Sequence, residues 1–556
     1  MFGHLAVHLV LTALPGVAAA LLAARLGVRA VPVLLAISLA ATGVLAMAVF
    51  WAYYGDPVLG ETCSFFVLFG SVLLIGWALY GRRIEPALLR QLATPLVLWM
   101  LGSAFLVFLG FLHGGSDQAV TMPGTRFHPG LPTDSVIPNF YAEWFFKYGH
   151  NGTPPLFGDW LSSDRPPLQI GYVLSQRRFG WDTSGLHYQV LGVVLQQLWI
   201  VGLWALLVAA KVGRVTRALA ALTLLVSDVA IVNGFFVWPK LLPVAMLLAA
   251  AALMLTPLWG ELRRSLWGAA LIAALAGLAM LGHGSSAFGI VPLVLIAAWR
   301  GLPSWRWLGV AVLVGIAVVV PWSAYQSYGD PPGNRLTKWT LAGEEKIDDR
   351  GTVEAILDAY GEAGIGGVVD NKAQNFAMIA GGEPALDSLE NAADGLGSGD
   401  LETAVRDIRS IFFFNLLPSL GLLLVGPLAM AAAYRRRAQN PLEWSFALTC
   451  FAALAIGAVA WGLLAFGNAA ARTSLHVGSY LLPMLGLVGG AVGLRAVFPR
   501  FATYFLGFNA LLMLAIYAPA LDPLPGTGYS LVNALVAGLS LAGFVVVALR
   551  PDQRRQ

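Results

Sequence analysis

Apolar residues run in stretches of roughly 18 to 25, each long enough as a helix to cross about 30 Å of hydrocarbon. Short polar breaks separate them. The pattern predicts fifteen helices, near 4–24, 30–54, 62–81, 92–113, 188–210, 218–238, 241–258, 266–282, 285–299, 308–326, 411–433, 444–466, 477–494, 501–520 and 528–549. In lipid the backbone must satisfy its own hydrogen bonds, so helices are the elements such stretches form. Two segments, 114–187 and 327–410, interrupt the rhythm. They divide the chain into N-terminal helices (1–91), a core carrying the first long loop (92–326), a loop cap (327–410) and C-terminal helices (411–556).

Composition turns this pattern into a class. With 58% of 556 residues hydrophobic and 12% charged, at a mean hydropathy of +0.73, a water-soluble core cannot absorb the apolar surface. The expectation is an all-α polytopic membrane protein of about fifteen transmembrane helices. No Lys or Arg precedes the first stretch, which reads as a retained helix rather than a signal peptide. Cys63 and Cys450 both fall in expected spans, which argues against a disulfide framework or metal cluster.

Charge sets an orientation. Alternate short breaks hold 20 of the 34 basic residues against four acidic ones. The opposite face holds the other 14 basic residues against 25 acidic ones, with Asp228 left inside a span. Basic residues near helix ends stay in the cytoplasm, so the N-terminus and both long loops are expected outside and the C-terminus inside. The Ala-, Leu- and Gly-rich composition points to a bacterial cytoplasmic membrane. The net charge of +4 follows from this topology and implies no nucleic-acid partner.

The first long loop is dense in Pro, Gly and aromatic residues. Residues 136–148 place Phe140, Trp144 and Tyr148 on one helical stripe, with Tyr141 and Phe145 beside it, as suits a short helix in the headgroup layer. The second loop, with 16 acidic and seven basic residues and helix-like stretches at 352–362 and 401–408, reads as a helical cap. Candidate chemistry concentrates in the first loop. Asp134 precedes the aromatic helix, and Asp164-Arg165-Pro166-Pro167-Leu168 precedes the next span. A carboxylate there can take a proton from an acceptor hydroxyl, and a guanidinium can hold a phosphate through two bonds. Asp164 reads as a substrate or structural contact and Glu143 as a substrate contact, with Asp159 and Asp182 as carboxylates sharing the loop. Lys240 is either a second phosphate contact or a snorkelling interfacial lysine. His283 sits at a tight turn between two spans, where it bonds either an acceptor hydroxyl or the protein itself. Arg472 and His476, one helical turn apart at the mouth of another span, read as phosphate or sugar ligands. Asp228 and its neighbour Asn233 read as a packing hydrogen bond or as part of a conduction path.

An Asp, a helix, a Gly-containing turn and then basic-Pro-Pro-Leu resembles the first extracytoplasmic loop of GT-C glycosyltransferases, closest to the protein O-mannosyltransferase and lipid A aminoarabinose transferase branches. The matching stretch here is Asp134 to Leu168, continuing through Phe179-Gly180; the likeness extends more weakly to Gly282-His283-Gly284 and Arg472. The resemblance implies that Asp134 is the general base and that Arg165 binds the phosphate of a polyprenyl-phosphate-linked sugar donor. The acceptor would be an envelope glycan, lipid or protein. No cofactor is required, although a divalent cation is compatible with such a site. The chain departs from the family where Asp134-Ser135 replaces an acidic pair, where Trp238-Pro239-Lys240 stands in place of an outer-loop Asp, and in its three additional N-terminal helices. A transporter or lipid flippase using Asp228 as its coupling carboxylate is the rival expectation.

Overall fold

The computed structural model describes the chain except residues 83, 129, 180–184, 380–381, 415–417, 468–479, 523, 525, 527 and 552–556. Arg472, His476 and Asp182 lie outside the described residues. Among the described residues there is helix throughout and no strand beyond the isolated Phe157–Trp160 bridge. Each expected apolar segment is met by an apolar helix. Among the described residues nine helices are long and apolar enough to cross a membrane, from Phe2–Arg25 to Leu531–Ala548. Five shorter apolar helices, and a pair (Arg214–Leu225 and Asp228–Phe236) bent by 52°, occupy the remaining places.

The bend has a local cause. Ser227 leaves the helical region (φ −71°, ψ 153°) and its hydroxyl accepts from the Ala230 amide, restarting the helix. Asp228 is therefore not in mid-helix but in the first turn after the break. Its carboxylate is fully buried at the start of that helix, without a side-chain partner among the described residues. Asn233 bonds instead to the Val229 carbonyl, 2.9 Å away.

Leu186–Gln196, Trp199–Ala209 and Leu241–Met254 form the centre and are buried in protein on all sides. Gly202 lets two of them touch: a Cβ there would lie 2.5 Å from the Ala245 carbonyl oxygen. Val31–Gly55 packs beside them, and Pro57–Leu79 and Trp305–Ala324 form the rim, with Phe66, Phe69, Val312 and Leu313 exposed. These are the apolar faces that lipid would cover.

The first long loop does not lie apart from the bundle. Its helix Ile137–Tyr148 presents Ile137, Tyr141 and Phe145 to the protein and leaves the Phe140, Trp144 and Tyr148 stripe less buried. Its next helix, Leu168–Gln176, is almost wholly covered by Val31–Gly55, which Gly171 meets so closely that a Cβ would sit 2.4 Å from the Ala46 carbonyl. The N-terminal helices thus pack directly on this loop. Phe50 meets Phe145 edge-on at 5.4 Å, and Gln176 bonds His8 and Thr12 at 2.9 and 2.8 Å.

The second long loop folds as four helices, Arg335–Ala342, Thr352–Ile379 (kinked at Gly364), Gly382–Ser398 and Leu401–Phe414. It is pinned to the first: buried Asp330 accepts from the Ser162 hydroxyl (2.6 Å) and the Ser163 amide (3.0 Å), and Gln326 donates to the Ser163 carbonyl at 2.9 Å.

A buried polar chain ties the turn at Asp134 to the turn at Lys240. The Ser135 carbonyl accepts from Tyr188 (2.6 Å), Gln169 donates to Tyr188 (3.1 Å) and to the Val237 carbonyl (2.8 Å), and Gln196 donates to Gln169 (2.9 Å). The Gln196 side-chain oxygen then accepts the Leu241 and Leu242 amides at 2.8 and 3.1 Å. Those amides are otherwise orphaned at a helix start, and unpaired buried polar groups are costly. Gln196→Leu is expected to lower the unfolding free energy of the protein in detergent by about 2 kcal/mol or more. Thermal unfolding with a melting temperature equal to that of the native protein would show that the chain carries no stability.

Candidate functional site

Four segments distant in sequence meet where the two long loops join the bundle. The 3-10 turn Thr133–Val136 supplies Asp134, and the stretch before Leu168–Gln176 supplies Trp160 and Arg165. The turn before Leu241–Met254 supplies Trp238 and Lys240, and the end of Leu266–Gly282 supplies His283. Two backbone features set this up. Val237 has φ 53°, a left-handed conformation costly for a β-branched residue, and is held there by the Gln169 bond to its carbonyl. Gly282 lets its helix approach Pro243 so that a Cβ would stand 3.1 Å away, bringing His283 to Lys240.

Arg165 is the centre of the arrangement. Its guanidinium carbon lies 3.8 Å from the Trp160 ring centroid and 4.5 Å from that of Trp238. Arg335, from the second loop, lies 3.9 Å from Trp160. Two guanidiniums this near one centroid require opposite faces of the indole. Lys240 continues the series, 5.9 Å from Trp238 and 5.8 Å from Tyr480. The result is a ladder of alternating basic side chains and rings: Arg335, Trp160, Arg165, Trp238, Lys240, Tyr480. Each guanidinium–ring contact contributes about 0.5–2 kcal/mol. The rings' negative faces offset the repulsion between cations that are otherwise close together.

What matters chemically is how few donors this uses. Arg165 makes one long ion pair, 3.5 Å to Asp134, and its Nε is buried without a partner. Burial lowers its pKa to about 10, which still leaves it charged near neutrality. A guanidinium held by ring faces keeps its edge for an anion. Asp134 sits at that edge with its side chain 26% exposed, enough for an incoming hydroxyl to reach.

Lys240 Nζ lies 3.1 Å from His283 Nε2. The Ser285 amide donates to His283 Nδ1 at 3.2 Å, and the Ser285 hydroxyl lies 2.8 Å from the same atom. Since an amide can only donate, Nδ1 carries no proton, and the ring proton of a neutral His283 is on Nε2. A proton there needs an acceptor, so Lys240 faces it as a neutral amine. Burial, reinforced by Arg165, pushes Lys240 down to about 7, and burial with Lys240 alongside holds His283 well below its ordinary value.

The other expected site residues have protein partners. Asp164 is buried, accepts from the Leu161 amide at 3.0 Å and lies 3.8 Å from Arg335; burial raises its carboxyl in spite of that neighbour. It serves as a brace for the loop junction. Glu143 pairs with Arg177 through two bonds, one of them 3.0 Å, and Asp159 pairs with Arg335 at 2.6 Å. The structure thus brings Asp134, Arg165, Lys240 and His283 together and gives Asp164 and Glu143 structural bonds. Trp160, Trp238, Arg335 and Tyr480 were missed by the sequence reading. Trp238 stands two residues before Lys240, and an aromatic beside a buried cation was the available signal. Among the described residues no group of three or more His, Cys, Asp or Glu side chains is placed to hold a metal ion.

Comparison of the chain with family models, with curated proteins and with solved structures finds no match.

The Lys240 geometry has a pH consequence. A bound phosphate favours the ammonium, so above about 7 its binding takes up a proton and weakens as pH rises. Between about pH 7.5 and 9, where a phosphate monoester is already dianionic, affinity for a polyprenyl monophosphate is expected to fall, by at most about tenfold per pH unit. The Lys240→Arg protein should show a flat profile. Equal slopes in the two proteins, measured by binding in detergent, would exclude a neutral Lys240.

Proposed function

We propose that the chain is an inverting glycosyltransferase of the GT-C type. It takes a sugar from a polyprenyl-monophosphate donor and adds it to an envelope acceptor on the outer face of a bacterial cytoplasmic membrane. All fifteen apolar segments then cross the bilayer, with the long loops and N-terminus outside and the C-terminus in the cytoplasm. The observation that carries this reading is the Arg165 guanidinium, stacked between Trp160 and Trp238 with its Nε buried and unpartnered, Asp134 3.5 Å away and Lys240 on the next rung.

The chemistry balances on these groups. Asp134 takes the proton of the acceptor hydroxyl, and the oxygen attacks the anomeric carbon from the face opposite the phosphate. The bond from that carbon to the phosphate oxygen breaks, and the phosphate leaves with the electron pair, stabilised by Arg165 and a recharged Lys240. Arg335 acts one step back, holding Trp160 and hence Arg165.

A second reading, a transporter or lipid flippase, rests on the buried Asp228 at the break of a bent span. The two separate on turnover. Purified protein in nanodiscs given a panel of polyprenyl-phosphate sugars should release polyprenyl phosphate. Asp134→Asn, nearly identical in shape, should cost at least about 100-fold, within the range of a lost general base. Arg165→Ala should chiefly weaken donor use. Activity of Asp134→Asn within a few-fold of the native protein, or no release from any donor alongside movement of a lipid that depends on Asp228, would favour the second reading.

A further inference from the structure

On the face opposite the long loops, helix Pro418–Ala432 ends in the run Ala431-Ala432-Ala433, and the 3-10 turn Tyr434–Ala438 follows with three consecutive arginines. Between this turn and Phe498, at the start of Pro499–Tyr517, lies a cavity of about 440 Å³. The alanines form its apolar wall, and Tyr434, Arg435, Arg436 and Phe498 form its rim.

Basic residues on this face are required by topology alone, so the question is what these do that the others do not. Arg25 is consumed by the carbonyls of Trp77, Ala78 and Tyr80, and Arg263 by that of Leu302. Arg300 is consumed by the Leu255 carbonyl and the Thr449 hydroxyl. They close helix ends. Arg436 also closes a helix end, giving one donor to the carbonyl of Val497, the last residue of Leu481–Val497, 3.0 Å away, while it stacks on Phe498 at 4.9 Å. Beside it Arg437 stacks on Tyr434 at 3.9 Å. Among the described residues Arg435 makes no hydrogen bond or ion pair. Arg435 and the remaining donors of Arg436 are thus left at the cavity.

Beyond the cavity the surface is apolar. Leu424 and Leu428, one turn apart, are exposed on Pro418–Ala432, and Phe501, Tyr504 and Phe508 are exposed on Pro499–Tyr517, the helix that touches it. A basic rim at the helix ends above a track of exposed Leu and aromatic side chains matches a molecule with an anionic head and acyl chains.

We propose that this cavity binds the phosphate headgroup of an anionic phospholipid, with Arg435 and Arg436 as its ligands and the Leu424–Leu428 and Phe501–Phe508 rows as the bed for its chains. The site is separate from the long loops and stands whether or not the chain transfers a sugar. Each arginine near an anionic headgroup strengthens binding several-fold.

Native mass spectrometry of the detergent-purified protein with dioleoyl phosphatidylglycerol tests this. The double variant Arg435→Ala/Arg436→Ala should lose affinity by about 30-fold. Arg264→Ala/Arg306→Ala, which removes the same charge from exposed sites on the same face, should change it little. Arg435→Lys/Arg436→Lys, which keeps the charge and guards against misfolding, should retain most of it. Dioleoyl phosphatidylcholine should bind all forms alike, and glycerol phosphate should not displace the phosphatidylglycerol. Equal losses in the two alanine pairs would make these arginines topological only. Displacement by glycerol phosphate at matched concentration would make the cavity a site for a free anion. Either result overturns the proposal.

Discussion

A charged group taken out of water must be paired, neutralised or held by something that stabilises its charge, and in this protein two buried guanidiniums, Arg165 and Arg335, lie against one indole, Trp160, with the neutral amine of Lys240 by the next, Trp238. Arg335 is held by Asp159 and by backbone carbonyls as well as by the Trp160 face. Arg165, stacked between Trp160 and Trp238, makes only the long contact to Asp134 and keeps an unpartnered Nε. Everything around this ladder serves to hold its rungs: the strained Val237 that places Trp238, the Gln169–Gln196 chain that fixes both turns, and the Asp159 and Asp164 contacts that aim Arg335. The second loop is therefore part of the site.

The same logic explains why the long loops are ordered. Arg126 and Arg409 are fully buried, yet neither is paired with a carboxylate in the described structure. Arg126 donates to the carbonyls of Leu109, Gly110, Ala518 and Pro519, and Arg409 to those of Ile516, Pro519 and Phe127. These carbonyls cluster at the C-terminal ends of Pro86–Gly110 and Pro499–Tyr517, where unsatisfied oxygens and the helix dipole both favour a cation. Each arginine fastens a loop to the bundle. Basic residues on the long-loop face are few, and several that occur there, Arg126, Arg165, Lys240, Arg335, Lys338 and Arg409, are buried. They act through short-range contacts.

Much of the helical framework was legible in the sequence because long apolar runs have a single stable backbone solution in lipid. The helix over 137–148 was also legible, although which stripe faces the protein was not: Phe145 is buried against Phe50 and Tyr54, residues about 90 positions earlier, and the Tyr141 hydroxyl donates to the Trp160 carbonyl. Asp134, Arg165, Lys240 and His283 stood out as polar residues at the ends of apolar runs, and they do come together. Glu143 and Asp164 were assigned to substrate because their partners, Arg177 and Arg335, lie 34 and 171 positions away and no spacing rule links them. Trp160 was invisible for the same reason, since an indole becomes part of a cation site only when the fold lays it on one. Gln196 could have been found: a glutamine inside an apolar stretch is costly unless it bonds, and it does.

The central claim is that the Arg165 edge is kept for a phosphate carried on a lipid. A cryo-electron microscopy map of the protein with saturating polyprenyl monophosphate tests it most directly. The account predicts phosphate density in hydrogen-bonding contact with Arg165, next to Lys240 and within reach of Asp134, and an acyl density leading from it to the lipid-facing surface. Ordered phosphate density elsewhere, with the Trp160–Arg165–Trp238 stack empty, would contradict it.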